Sequence, residues 1–348
     1  MNTTIRSRFP LRLALMAGVL ALAVCLFPVA AQEKVSLVGS GSNVPSPLYA
    51  VWSDAFNKSN AAVQVRYLSM STVEGIQNVS KGTGDFAAGE IPLTDEQMTG
   101  GKMKLTQIPS VIIGLVPVYN LPGQPQLRFS GKVLAQIFMG DIKDWKDAQI
   151  AKLNPGVSLP DMPIKVVHRS GGKGSNYIFT EFLSKSDPAW QSKIGKSASP
   201  AWPVGDEANR GEDMVSKVAS TPGAVGYVEA SFARHAALGY AEVENPAGQF
   251  VRATPASLAD SCTAVEKTVH EDFRVSMINA PGKDSYPIAS FTWFYVPVSG
   301  LAPERSKALK QFLEWGLTQG QSIAKEQGYA PLPSSMAERA RAKVKSIP

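Results

Sequence analysis

Cysteine is all but missing from this sequence. Of the two present, Cys25 lies in the first thirty residues and Cys262 stands alone in the rest. No disulfide can therefore close within the later chain, and clusters of cysteine around a metal are excluded. Histidine is nearly as scarce: His168, His235 and His270 are far apart and show no ligand spacing. No basic run interrupts the chain, which argues against a nucleic-acid partner. Beyond the opening residues no apolar run is long enough to cross a membrane, and there are no internal repeats or low-complexity segments.

The apolar length that exists lies at the start. Arg6, Arg8 and Arg12 precede an apolar run from Leu13 to Leu26, and Val29-Ala30-Ala31 reads as a small-residue cleavage site before Gln32. The pattern predicts a secretory signal over residues 1–31. Cys25 offers a lipid-attachment alternative, against which the bulky Val24 before it argues. Cleavage leaves 317 of the 348 residues, enough for two domains or one large one. It also removes three arginines and no acid, so the formal charge of +6 drops by three, to +3. With 44% hydrophobic and 18% charged residues the chain has the composition of a globular protein.

The stretch from Val166 to Phe182 organises the rest. Val166 and Val167 read as the end of a buried strand, Arg169 to Ser175 as a short glycine-rich loop, and Ile178, Phe179, Phe182 and Leu183 as the apolar side of a helix. A strand, a glycine loop and a helix start aim backbone N–H groups and a helix dipole at an anion. Arg169, Lys173 and Ser175 add charge and a hydroxyl. Two further loops repeat the arrangement. Val35 to Val38 reads as a strand running into Gly39–Pro47 and a helix over Leu48–Asn57. Val63 to Leu68 alternates as a strand and runs into a hydroxyl-rich loop, Ser69–Gly75, before Ile76–Ser80. Asp85 to Glu90 reads as a short strand ending in a carboxylate.

Ile108–Asn120 is a continuous apolar run, the pattern of a strand covered on both faces. Helical spacing is predicted around Val133–Phe138, Trp145–Leu153 and Ser257–Glu271, a strand over Ile288–Val298, and one long amphipathic helix over Ser306–Glu326. Strands alternating with helices mean α/β layers with mostly parallel sheet, in which ligands sit at the carboxyl ends of strands. The three loops have the positions to converge on one small anion, though each also serves as an ordinary strand-to-helix turn. Trp52, Trp145, Trp190, Trp293 and Trp315 are expected in the core, Trp202 near a cleft rim, and Cys262 as a small buried hydrophobe.

Several segments resemble the periplasmic phosphate-binding protein of the phosphate (Pst-type) ABC importer. They include GSGSNVPSPLYAVWSDAF (39–56), GTGDFAAGEIPLT (82–94), IPSVIIGLVPVYNLPG (108–123), the run 137–175, WPVG (202–205), TPGAVGYVEASFA (221–233) and 312–333. The resemblance implies a two-lobed periplasmic binding protein, type II-like, with the ligand cleft between lobes. The lobes would be 32–117 plus 285–348 and 118–284. It implies capture of inorganic phosphate in the periplasm and delivery to an ABC permease, by a monomer that needs no cofactor and no metal and is not an enzyme.

Carried over by position, the family's ligand contacts fall on Asn43, Val44, Thr72, Glu90, Arg169, Lys173, Gly174 and Ser175. Five positions depart from the family pattern. Asn43-Val44 replace Thr-Phe, Lys173 replaces a serine, Glu90 replaces an aspartate, and Gly171 stands where an aspartate usually pairs with the arginine. A buried carboxylate accepts the proton of phosphate and repels a fully ionised anion. Glu90 keeps that acceptor on a longer arm, while Lys173 and the unpaired Arg169 add positive charge. Three alternatives follow: a paralogue turned sensor, scavenger or attachment protein; a binder of another oxyanion such as arsenate; and a secreted phosphatase. The last needs an activated nucleophile or metals, and His168, next to Arg169 on a strand, points away from it.

Overall fold

The computed structural model describes residues 34–348 apart from residue 101, together with residues 1 and 3; the signal expected over 1–31 otherwise lies outside the described residues. The chain runs β1 (Val35–Ser42), α1 (Ser46–Ser59), β2 (Val63–Met70), α2 (Thr72–Ser80), β3 (Phe86–Gly89), α3 (Asp95–Thr99) and β4 (Leu105–Tyr119). Next come β5 (Arg128–Phe129), α4 (Gly131–Met139), α5 (Ala148–Leu153), β6 (Lys165–Arg169), α6 (Gly174–Ser186), α7 (Pro188–Lys193), β7 (Asp206–Ala208), α8 (Gly211–Ser220), β8 (Ala224–Glu229) and α9 (Ala230–His235). It closes with β9 (Glu242–Glu244), β10 (Phe250–Val251), α10 (Pro255–Val265), β11 (Ala289–Pro297), α11 (Pro303–Gly316), α12 (Gln319–Glu326) and α13 (Ser334–Lys345).

Eight strands form one sheet in the order β2-β1-β3-β11-β4-β8-β6-β7, and β10-β9-β5 form a small second sheet that the sequence pattern did not announce. The outer pairings are parallel: β1 with β2 and β3, and β6 with β7 and β8. The middle strands pair antiparallel, β11 with β3 and β4, and β4 with β8. All 15 residues of β4 are buried, as a continuous apolar run requires. Its first part lies beside β11 and its last part, from Leu115, beside β8. One strand thus belongs to both lobes. Where it passes from one to the other, the Leu115 N–H donates to the Ile288 carbonyl at 3.0 Å and the Tyr286 hydroxyl donates to the Leu115 carbonyl at 2.7 Å.

Two aromatic clusters fill the lobes. Tyr49, Trp52, Phe86, Phe294 and Phe312 pack in one, with Trp52 donating to the Gly320 carbonyl at 2.8 Å. Phe138, Phe179, Trp202 and Tyr227 pack in the other. Trp202 stacks on His168 with ring centroids 5.0 Å apart and meets Trp190 at 5.7 Å. It is therefore part of this packing and not a free-standing rim residue. Cys262 is buried.

Boundaries differ from the sequence reading for identifiable reasons. Strand β1 continues through Gly39–Ser42 because Gly39, Ser40 and Gly41 find partners on both sides, in β2 and β3, and Ser42 pairs with Met70 of β2. Helix α2 begins at Thr72, inside the predicted loop. Ser71 and Glu74 form a capping box, the Glu74 N–H donating to Ser71 Oγ at 3.1 Å and the Ser71 N–H to Glu74 Oε2 at 2.9 Å. Gly75 lets this helix lie on β1, since a Cβ there would meet Gly41 Cα at 2.5 Å. The long C-terminal helix is broken into α11 and α12, because Thr318 leaves helical geometry at ψ −91°. Residues 266–268 are a 3₁₀ turn after α10, so the helix expected to reach Glu271 stops earlier.

Candidate anion-binding site

Three helices begin where strands end: α1 after β1, α2 after β2, and α6 after β6. First-turn N–H groups have no partner within their own helix, so each start presents donors and a positive dipole end. Between them lie Asn43, Val44, Thr72, Glu90, Arg169, Gly174 and Ser175, all buried, with Lys173 half-buried at the N-cap of α6. The structure brings all eight expected residues into one neighbourhood, linked contact by contact.

Glu90 is the centre of one half. Its side chain is 1% exposed. Oε2 accepts from Ser42 Oγ at 2.7 Å and Thr72 Oγ1 at 3.3 Å, and Oε1 from Thr292 Oγ1 at 3.3 Å. Burial pushes its carboxyl up to about 8, an effect that outweighs the hydroxyl hydrogen bonds and is reinforced by the charge of Glu229. At neutral pH Glu90 therefore holds a proton. A protonated carboxyl does not itself repel a fully ionised anion, a point the sequence alone left open.

Arg169 is the centre of the other half. The residue is fully buried. Its Nη2 donates to Asn43 Oδ1 at 2.8 Å and to the Asn209 carbonyl at 3.2 Å, while Nε and Nη1 meet no protein acceptor. Its backbone N–H donates to the Tyr227 hydroxyl at 3.2 Å, and that hydroxyl donates to Asn176 Oδ1, which anchors the strand end to α6. Asn43 Nδ2 and Ser175 Oγ are also buried without an acceptor. Buried donors are nearly always paired in native proteins. Four in one place mark a site built for a ligand rich in acceptors.

Glycine is obligatory at Gly174. A Cβ there would fall on Glu90 Oε2 and within 2.9 Å of Glu90 Cβ and Thr72 Oγ1. The start of α6 is thus pressed against the opposite lobe. The Val73 N–H reaches the Gly172 carbonyl at 3.4 Å, and on the outer edge Arg274 pairs with Asp95 at 2.5 Å.

Two expected donors are otherwise engaged. The Val44 N–H donates to Ser42 Oγ at 3.2 Å and the Lys173 N–H to the Ala198 carbonyl at 3.2 Å. Partial burial and neighbouring Arg169 lower the Lys173 ammonium, so the half-buried side chain gives up its charge more readily than a lysine in solvent. His168 lies under Trp202 with Nδ1 3.2 Å from the Arg169 carbonyl, a structural role.

Sequence reasoning missed Ser42, Thr292, Asn209 and Glu229. Ser42 sits in the Gly/Ser loop already singled out. Thr292 and Glu229 come from distant strands and carry no local signal. A half-enclosed cavity of about 190 Å³ reaches Glu90 past Tyr177, Lys196, Met277 and Trp293. A larger groove, about 900 Å³, lies among α1, α11 and α13 and shares no residue with this constellation.

A two-lobed α/β chain with a buried polar centre has the architecture of a binding protein. The model of the PBP superfamily domain matches residues 28–319. The phosphate-binding protein PstS of Pasteurella multocida (strain Pm70) is 34% identical over 332 residues, covering 95% of each chain. That of Xylella fastidiosa (strain Temecula1) is 35% identical over 320 residues, 90% of this chain and 86% of its own. Among solved structures, the high affinity periplasmic phosphate-binding protein PfluDING, bound with phosphate, superposes with a TM-score of 0.71 at 18% identity, over 88% of this chain and 93% of its own. The chain belongs to the phosphate-binding proteins of the PBP superfamily.

Proposed function

We propose that this protein captures inorganic phosphate between its lobes, outside the inner membrane, and delivers it to an ABC permease. The observation that carries the reading is the set of buried, unpartnered donors on Arg169, Asn43 and Ser175, linked through Ser42 and Gly174 to Glu90, which can exchange a proton with the ligand. A tetrahedral oxyanion supplies acceptors to those donors, and a protonated one also shares its hydrogen with the carboxyl. No covalent step is involved. The eight residues named from the sequence are the proposed contacts. Lobe closure of hinge type would bury the ligand. The proposed lobes are 32–117 with 285–348, and 118–284, and the working unit is a monomer released by cleavage of residues 1–31. Among the described residues no helix is long and apolar enough to cross a membrane.

A second reading rests on the engagement of the Val44 and Lys173 N–H groups within the protein: a relative that binds another oxyanion such as arsenate, or that serves as sensor, scavenger or attachment protein. Isothermal titration calorimetry of ligand-stripped protein against phosphate, arsenate and sulfate separates them. Tight phosphate binding supports the first reading; arsenate preferred over phosphate, or no binding, supports the second.

A further inference from the structure

The segment between α10 and β11 is bonded to both halves of the molecule, although its residues 269–277 form no helix or strand. On one side it meets elements of the half built on β1, β3 and β11. Arg339 of α13 donates to the Val269 and His270 carbonyls at 2.9 and 3.2 Å and lies over the Phe273 ring. Arg274 Nη1 reaches Asp95 Oδ1 of α3 at 2.5 Å. On the other side it meets α6, in the half built on β6 and β8. Ser276 Oγ donates to Glu181 Oε1 at 2.7 Å, and Lys185 donates to Ser276 Oγ at 3.0 Å and to the Ile278 carbonyl at 3.2 Å. The cavity that reaches Glu90 lies along this junction, with Val275 to Ile278 as one wall.

Arg274 is fixed before it reaches across. Asp272 accepts from its Nε at 2.8 Å and lies 2.7 Å from Nη2, which leaves Nη1 for Asp95. The backbone is committed as well. Phe273 stands at φ +60°, a left-handed conformation that a bulky residue keeps only where its surroundings hold it, and its side chain is buried.

We propose that residues 269–278 are a clasp, in which Arg274 on Asp95 and Ser276 on Glu181 are two links in series between the halves, and that this clasp sets how slowly the closed protein releases its ligand. The inference rests on the reading of the protein as one that captures phosphate between its lobes. A strand shared by the lobes can bend as they part, but α3 cannot move away from α6 without breaking one link or the other. Two links in series fail together when either is missing. The Asp95 and Arg274 side chains are 84% and 37% exposed, so a free pair of this kind contributes little; holding the guanidinium in place beforehand reduces the entropy lost in making it.

The test is stopped-flow dissociation of phosphate from wild type, Asp95→Asn, Ser276→Ala and the double variant. Asp95→Asn should raise the rate about two- to fivefold and Ser276→Ala about two- to tenfold, with the double variant no faster than the faster single one. The excess of Asp95→Asn over wild type should disappear in about 1 M NaCl, which screens exposed charges. Effects that multiply in the double variant, an unchanged rate in either folded single variant, or an excess that salt leaves untouched overturns the proposal. If the wild type binds no phosphate, the functional reading falls, and the clasp is then judged in the ligand-free chain from spin labels on Asp54→Cys of α1 and Lys152→Cys of α5, both exposed positions. The distance between them should lengthen in each single variant; an unmoved distance overturns the clasp.

Discussion

The proton on Glu90 leads to a selectivity that changes with pH. Sulfate brings no hydrogen, so the complex needs Glu90 protonated. Phosphate dianion brings one, which an ionised Glu90 can accept. Below the point to which burial pushes Glu90, about 8, the carboxyl is already protonated and sulfate binds without taking up a proton. Above it, each sulfate bound must be accompanied by one proton. One linked proton means about a tenfold loss of affinity per pH unit, or about 1.4 kcal/mol. Phosphate binding needs no uptake in the same range. Discrimination between the two anions should therefore be modest near pH 7, and should grow about fivefold from pH 8 to pH 9 and about tenfold per unit beyond. Calorimetric titrations of both anions from pH 6 to pH 9.5 measure it directly. Glu90→Gln, an uncharged mimic of the protonated acid, should flatten the sulfate profile and abolish the high-pH discrimination. A sulfate affinity constant through pH 9 in the wild type, or the same decline in Glu90→Gln, would refute the reasoning.

Three further outcomes follow from the same geometry. Because Glu90 is raised from 4.5 to about 8 on folding, its contribution is fully present below about pH 4.5 and is lost as pH rises to about 8, at up to about 1.4 kcal/mol per unit; ligand-free Tm, compared between wild type and Glu90→Gln, should diverge across that window. Gly174→Ala places a methyl against Glu90 and Thr72, an overpacking of about 1–3 kcal/mol; phosphate affinity should fall roughly 5- to 150-fold, and small-angle scattering at saturating phosphate should show a more open particle. Asp85, buried, accepts from Arg305 Nε and Nη2 at 2.6 Å each and from the Val38 N–H at 2.7 Å; Asp85→Ala should cost about 2–3 kcal/mol in urea unfolding and leave phosphate affinity unchanged.

Period and composition carried much of the fold. The unbroken apolar run at 108–120 announced β4, and the alternation at 63–68 announced β2, because burial on two faces or one leaves that mark in sequence. Helix starts were less legible. Ser71 and Glu74 form a capping box that the hydroxyl-rich loop concealed, and Thr318 breaks a helix whose apolar spacing continues across it. The residues of the candidate site fall into two groups. Arg169, Gly174 and Ser175 are adjacent in the chain and stood out as a loop. Thr292 reaches Glu90 from another strand, and its position depends on strand order, which no local pattern encodes. Glu90 was named from the sequence, but its protonation was not legible there, because burial, reinforced by the charge of Glu229, is what raises its carboxyl.

The order of the main sheet also bears on when this chain can fold. β11 lies between β3 and β4, so those strands face each other across a gap until residues 289–297 have been made. Until then both present unpaired edges, and the aromatic cluster lacks Phe294 and Phe312. The N-terminal half, though synthesised first, waits for the last of the described strands before its core can close. For a protein proposed to act outside the inner membrane, such a delay is useful if it is exported before it folds: the element that locks the chain arrives late.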